Sequence, residues 1–493
     1  MELWRLHART RQSRGLRRML TGIWIPCYYP NCRLGNASDL TCNCGCAANS
    51  DGLICVQSGT ASYYGPAETG RSWGAREAMA ASVLAASVVN AARLQLGRRA
   101  RQFSAILAKD GYQGIVRRVR LKASDWIRPH SVVWSVFPED VMAADLLRPP
   151  VTVVPKIAPG EPIVVNWVME ASGRGSGGHT TTCRIIKYME RRGYVNRVYL
   201  YDPFGGDHKY YQRISRDYYG ITCEISDVSA GMKDAHAVVA TAWPSAYAVY
   251  NARCSGKRFY FVQDYEPFFY PVGTNSVLAE NTYRMGFHGI TAGRWLAEKL
   301  SHEFGMMTDF FPFGCDTARY RRQSSSKRSG VAFYARAGTP RRAVELGLLA
   351  LELLANRRPD VEVHLFGERV GNLPFKFLNH GLVTPAKLSE IYNRCFAGLS
   401  LSLTNVSLVP FEMLACGCIP IVNDADHNRM VLDNPHIRYA PPTPHSLATA
   451  LEALVNMPDF EATSRRAAES VVSASWDDAG AAVDAAFRRA LGA

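Results

Sequence analysis

No stretch of this 493-residue chain holds the ~18 consecutive apolar residues that a membrane-spanning helix needs. The basic opening MELWRLHARTRQSRGLRRML runs into GIWIPCYYP, which is too short and too polar for the apolar core of a secretory signal. A membrane-embedded or secreted protein is therefore not expected, and the cytoplasm is the expected location. Cysteines in zinc-site spacing are also missing. Cys42, Cys44 and Cys46 lack paired C-x2-C spacing and have no histidine close by, so no metal is expected. The seven cysteines after residue 56 lie apart in apolar or loop settings, as free thiols of a reducing compartment do. Acidic residues are scarce only at one end. Residues 1–75 carry 8 basic and 4 acidic groups and residues 76–130 carry 11 and 3, so the first 130 residues hold +12 of the formal charge of +14. A charge so confined belongs to an appendage and is no nucleic-acid signal for the rest of the chain. Anionic lipid headgroups would attract it as well as phosphodiesters would.

The apolar fraction of 47% and charged fraction of 20% are those of a soluble globular protein, and the length calls for more than one core. Residues 1–75 show no sustained helical or strand period and are rich in Gly, Ser, Asn, Arg and Cys. They read as a disordered extension, or as upstream sequence with translation starting at Met79. Residues 76–150 read as a basic helical segment and a linker. Around 114–126, Ile115, Val119 and Trp126 interleave with Arg117, Arg118, Arg120 and Lys122. That pattern suits a helix lying on a membrane surface, or one packed on the main body with a solvated arginine face. Six prolines between 137 and 162 mark the linker.

At Ile163 the texture changes. IVVNWVME reads as a buried strand, followed by the loop ASGRGSGGHT and a helix through about Arg192. Further strands are expected at 197–201, 235–241 and 258–262. After the Ser-rich joint at 321–330 a second alternation begins with the strand VAFYAR, a helix over 340–356 and a strand over 361–366. A helix at 385–394 and a strand at 397–400 lead to SLVPFEMLACGCIPIVND, a loop, short helix and buried strand on which the rest of the chain converges. This is an α/β chain of two parallel-sheet domains facing a cleft. They are expected at 151–320 and 321–475, with a final helix at 476–493 free to cross back onto the first.

Three constellations carry chemistry. Gly173, Gly175 and Gly178 satisfy G-x-G-x-x-G between a strand and a helix, and Asp202 ends the next strand where a ribose-binding acid would sit. An NAD-dependent oxidoreductase is one reading. Arg336 and Arg341, five apart at a strand end and a helix start, can clamp a diphosphate and stabilise it as a leaving group. QDYEPFFYP places Asp264 and Glu266 beside Tyr265, Phe268, Phe269 and Tyr270, acids for sugar hydroxyls and rings for sugar faces. A hydrolase carboxylate pair is the alternative there. Glu412, a carboxylate among apolar neighbours at a helix start, either binds hydroxyls or complements the helix dipole.

From about Ile163 onward, GGHTTTCRIIKYMERRGY, FVQDYEPFFYPVGTNSVLAENTY, FPFGCD, YARAGTPRRAVELGLLAL and VPFEMLACGCIPIV resemble glycosyltransferase family 4. The likeness covers roughly two-thirds of the chain and lies nearest the rhamnosyltransferases of bacterial S-layer, O-antigen and cell-wall polysaccharide assembly. It implies the GT-B fold, two Rossmann-like domains facing a cleft. In that family an Arg and a Lys five apart bind the donor diphosphate, which carries over onto Arg336 and Arg341, the Lys being Arg here. Of two family glutamates eight apart, the second maps onto Glu412, while the first falls at Thr404, which is no carboxylate. The implied donor set is Arg336, Arg341, Thr404, Asn405, Leu408, Val409 and Glu412, with Glu412, Arg336 and Arg341 the catalytic ones. The implied acceptor and phosphate side is Gly177, Gly178, His179, Thr180, Asp264, Tyr265 and Glu266.

The function implied is retaining transfer of a hexose, rhamnose from dTDP-rhamnose, to a growing lipid-linked polysaccharide. The departing phosphate would take the acceptor's proton, without a side-chain base, cofactor or metal. No D-x-D motif stands at a suitable strand end. The chain would work in the cytoplasm, peripherally on the inner face of the membrane, with no nucleic-acid partner. A basic membrane- or nucleic-acid-binding protein carrying an inactive GT-B body is the non-enzymatic alternative, motivated by the +12 appendage and Thr404.

Overall fold

The computed structural model describes residues 46–49, 52–57 and 60–64, spaced residues between 104 and 126, and residues 133–493 apart from 324–326. The chain forms two compact units, Met1–His130 and Ser131–Ala493.

In the first unit, β1 (Cys46–Asn49), β2 (Gly52–Gln57) and β3 (Thr60–Tyr64) form an antiparallel meander. This differs from the disorder expected over 1–75. Only two positions of sequence separate successive strands, and Ile54, Val56, Tyr63 and Tyr64 are strand-favouring residues, a hairpin signal hidden by the polar composition. The rest of 1–75 lies outside the described residues, as do Arg117 and Leu121 of the expected amphipathic helix. The described residues between 104 and 126 are helical, and among them Tyr112 and Trp126 are strongly exposed.

The second unit opens inside the expected linker. Val136 is buried, the Phe137 N–H donates to the Tyr201 hydroxyl at 2.8 Å, and that hydroxyl donates to Asp140 at 3.0 Å. The first sheet follows, with β4 (Val164–Glu170), β5 (Val195–Tyr201), β6 (Glu224–Asp227), β7 (Ala237–Ala240), β8 (Lys257–Val262), β9 (His288–Ala292) and β10 (Thr308–Phe311). All are parallel, in the order β10-β9-β8-β7-β4-β5-β6. Alternation along β4 sends Trp167 to one face and Val168 to the other, and each face is covered by its own core.

The second sheet, also parallel, comprises β11 (Gly330–Ala335), β12 (Glu362–Gly367), β13 (Leu378–Gly381), β14 (Cys395–Leu399), β15 (Ile419–Asn423) and β16 (Arg438–Ala440). Its order is β13-β12-β11-β14-β15-β16, and Phe333, Leu365, Leu399 and Ile421 centre its core. Strand order reverses direction at β4/β7 in one sheet and at β11/β14 in the other, and ligands of such sheets sit at the carboxyl ends beside that switch.

The last helix, Trp476–Leu491, returns to the first sheet. Phe487 meets Trp167 and Phe259 edge-on or tilted, and Asp484 accepts from the Tyr194 hydroxyl at 2.5 Å. Gly480 is required there, because a Cβ would lie 2.3 Å from the Tyr188 ring.

Candidate active site

Two strand-to-helix loops occupy the switch points. The first leaves β4 at Glu170 and enters the helix Gly177–Arg191. Ser176 caps that helix, its hydroxyl accepting from the His179 N–H at 3.4 Å. His179 Nε2 lies 2.7 Å from the Glu170 carbonyl oxygen, which can only accept, so Nε2 carries the proton. Nδ1 then accepts from the Ser176 hydroxyl at 2.9 Å. Burial pushes the His179 pKa down and keeps the ring neutral. The Thr180 hydroxyl donates to the Ser176 carbonyl at 2.8 Å. The Tyr219 hydroxyl donates to the Gly173 carbonyl at 2.8 Å and accepts from the Ser176 N–H at 3.2 Å. Only Gly175 of this loop needs glycine's freedom, at φ +86°. A Cβ on Gly177 would meet nothing within 4 Å, and one on Gly178 would touch Gln263 at an ordinary 3.5 Å. The side chains of His179 and Thr180 are therefore committed to the loop itself. Asp202 is committed too, since its carboxylate accepts from the Phe204 N–H at 3.1 Å and the Gly206 N–H at 2.6 Å.

The second loop leaves β11 at Ala335 and enters the helix Val344–Arg357 through a tight turn over Pro340–Arg342. Ala343 closes that turn at φ +48°, a left-handed conformation that costs a non-glycine residue about 1 kcal/mol. Arg336, half-exposed, places Nε 3.4 Å from Glu368. Arg341 places Nε 3.3 Å from Asp264 Oδ2, and its guanidinium lies 4.1 Å above the Phe269 ring. Arg342, absent from the sequence-derived set, donates to the Ser402 hydroxyl at 2.7 Å. Its only early signal was the Arg-Arg pair.

Asp264 follows β8 and is buried. Burial pushes its pKa up against the pull of Arg342, Arg341 and Thr404. Asn405 donates from Nδ2 to the Gln263 carbonyl at 2.9 Å and to the Ala292 carbonyl at 3.1 Å, fastening its loop to the ends of β8 and β9. Arg341, Thr404, Asn405 and Asp264 thus come together across the cleft.

Glu412 has other neighbours. It lies in the short helix Val409–Ala415, whose N-cap is Leu408, and burial pushes it up to about 7 against the pull of Arg184 and Tyr320. Arg184 belongs to the helix Gly177–Arg191 and stacks 4.6 Å over Trp476. Glu412 therefore faces the opposite domain, but not the Asp264 group.

The aromatic segment differs from its expected sugar-binding part. Glu266 is buried and accepts from the Trp243 N–H at 2.6 Å, capping the helix Trp243–Asn251; burial raises it to about 8. Tyr265 is buried against Tyr283, with Lys299 Nζ 4.5 Å from its ring, and the Tyr270 hydroxyl accepts from Trp243 Nε1 at 3.0 Å. Phe269 is under Arg341, which leaves Phe268, packed edge-on against Tyr265 at 4.6 Å but still 56% exposed, as the most exposed ring of the segment. Glu170, also absent from the sequence-derived set, ends the switch strand with a carboxyl that makes no hydrogen bond or ion pair among the described residues, and burial raises it to about 7. Its signal was its place just before the glycine loop.

Family models for the N-terminal and C-terminal domains of WsaF match residues 223–292 and 329–452. The O-antigen biosynthesis protein RfbC of Myxococcus xanthus is 32% identical over 380 residues, covering 73% of this chain. The chain spans 29% of the length of that relative. Among solved structures, Anabaena HepE in complex with UDP and glucose has a TM-score of 0.51 at 16% identity, over 67% of this chain and 99% of HepE. TarM has 0.55 at 8%, over 67% and 100%, and a glycosyltransferase from Rickettsia africae has 0.50 at 13%, over 67% and 99%. With the two facing parallel sheets, these similarities establish the GT-B fold.

Proposed function

We propose that this chain is a glycosyltransferase of bacterial surface-polysaccharide assembly, taking a hexose from a nucleoside-diphosphate sugar. The observation that carries the reading is the loop after β11, where Arg336 lies against Glu368 and the Tyr334 hydroxyl and Arg341 against Asp264 and the Phe269 ring, with no phosphate-like partner for either guanidinium among the described residues. A diphosphate offers each guanidinium a stronger, bidentate partner than one carboxylate does. The similarity to RfbC supports polysaccharide assembly, and the UDP and glucose held by HepE support a nucleotide-sugar donor.

In this reading Arg336 and Arg341 bind the donor diphosphate and stabilise its charge as the sugar departs. Glu412 accepts hydrogen bonds from donor hydroxyls. Asp264 and Phe268 line the acceptor side, and the N-terminal backbone of the helix at Gly177 and Gly178 faces the phosphates. The finer reading is rhamnose from dTDP-rhamnose, transferred with retention to a lipid-linked glycan. The departing phosphate takes the acceptor proton, and the mechanism uses no metal. The basic first unit would hold the chain on an anionic membrane surface; among the described residues no helix is long and apolar enough to cross a membrane. The oxidoreductase reading is disfavoured by Asp202, whose carboxylate is engaged by its own turn.

Thermal-shift titration with UDP-, dTDP- and GDP-sugars and with NAD tests this. A nucleoside diphosphate should raise the melting temperature and NAD should not. Stabilisation by NAD alone would overturn the proposal.

A further inference from the structure

Asp264 and Arg341 come from opposite domains, so their ion pair spans the cleft. Asp264 Oδ1 accepts from the Tyr265 N–H at 2.9 Å, which leaves Oδ2 to face Arg341 at 3.3 Å. The contact is electrostatic only: Arg341 Nε is buried without a hydrogen-bond acceptor in line. Arg342 beside it is held by Ser402, and Asn405 by the backbone of β8 and β9, so neither is free to move. Arg341 is the weakly held member of a fixed group.

We propose that Asp264 is an acceptor-binding carboxylate kept masked by Arg341, and that the donor diphosphate unmasks it by drawing Arg341 away. This rests on the donor reading above. A diphosphate carries more charge than one carboxylate and accepts both arms of a guanidinium, so it wins the competition for Arg341. Without Arg341 the buried Asp264 keeps only Arg342, itself committed to Ser402, and Thr404 beside it, and a buried carboxylate with less compensation is a costly state that hydroxyl donors relieve. Acceptor sugar hydroxyls supply them, and the exposed face of Phe268 lies in the same segment to take a sugar ring. Acceptor binding is thereby made to wait for the donor, so that an empty cleft does not engage glycan unproductively.

The competition is measured by calorimetric titration of UDP and dTDP into the full chain, Asp264→Asn, Arg341→Ala and the double variant, with melting curves to show that each is folded. Asp264→Asn should bind the nucleotide roughly 3- to 10-fold more tightly, because its competitor is gone. In the Arg341→Ala background the same change should alter binding less than about 2-fold, as expected when the coupled partner is removed. Asp264→Ser serves if the amide destabilises the loop. Wild-type binding with Asp264 variants that bind equally or more weakly overturns the inference alone. A wild type that binds neither nucleotide overturns the donor reading and the inference with it.

Discussion

The loops after β4 and β11 hold equivalent places in their sheets, yet they spend their polar groups differently. After β4, Ser176, His179, Thr180 and Tyr219 satisfy one another and the local backbone. After β11, Arg336 and Arg341 reach carboxylates on other segments without a hydrogen bond along the contact line of Arg341. Motif residues whose partners are internal stabilise their loop. Arg341, whose carboxylate partner lies across the cleft without a hydrogen bond to its Nε, can exchange that partner for a ligand.

The sharpest way to break this contrast is Arg341→Ala. Loss of two charge-assisted hydrogen bonds to the diphosphate should cut donor-dependent turnover about 100-fold or more. Steady-state kinetics at varied donor should show it, and unchanged kcat/KM for the donor would remove Arg341 from the site.

Glu412→Gln should lower turnover about 10- to 100-fold by weakening hydrogen bonds to donor hydroxyls. It should also stabilise the protein at pH 8. The native carboxyl holds its proton up to about 7, whereas the unfolded one releases it near 4.5. Folding therefore loses stability as pH rises through that window, by up to about 3 kcal/mol for this group, and glutamine removes the loss. A variant that melts lower at pH 8 with unchanged kinetics would make Glu412 structural.

Glu266→Ala removes the acceptor of the Trp243 N–H and should cost about 1–2 kcal/mol of stability. Donor affinity should be untouched, and denaturant titration with nucleotide binding separates the two. The smallest effect is expected for Ala343→Gly, which relieves the left-handed strain and should change stability by no more than about 1 kcal/mol. A clear loss in urea midpoint would mean that the turn is held by something other than its backbone.

The sheets were legible where strands are long and apolar. IVVNWVME and VAFYA declare themselves because both faces of β4 and β11 are covered. β6, with Glu224 and Asp227 at its ends, and β13, LNHG, are short and polar and pair only because a neighbour offers an edge. The arginine loop could be read from residue type and spacing alone. The capping of Trp243 by Glu266 could not, because 23 residues separate them and only the packing of β7 against β8 brings them together. Glu170 and Arg342 escaped for the same reason, since burial and partners, not spacing, set them apart.

Hydrogen exchange of the full chain with and without saturating dTDP or UDP tests most directly which loop holds the donor. Bound nucleotide should slow exchange over residues 336–343 and around Glu412. Slowing confined to residues 171–180, with 336–343 unchanged, would contradict the assignment of the diphosphate to Arg336 and Arg341.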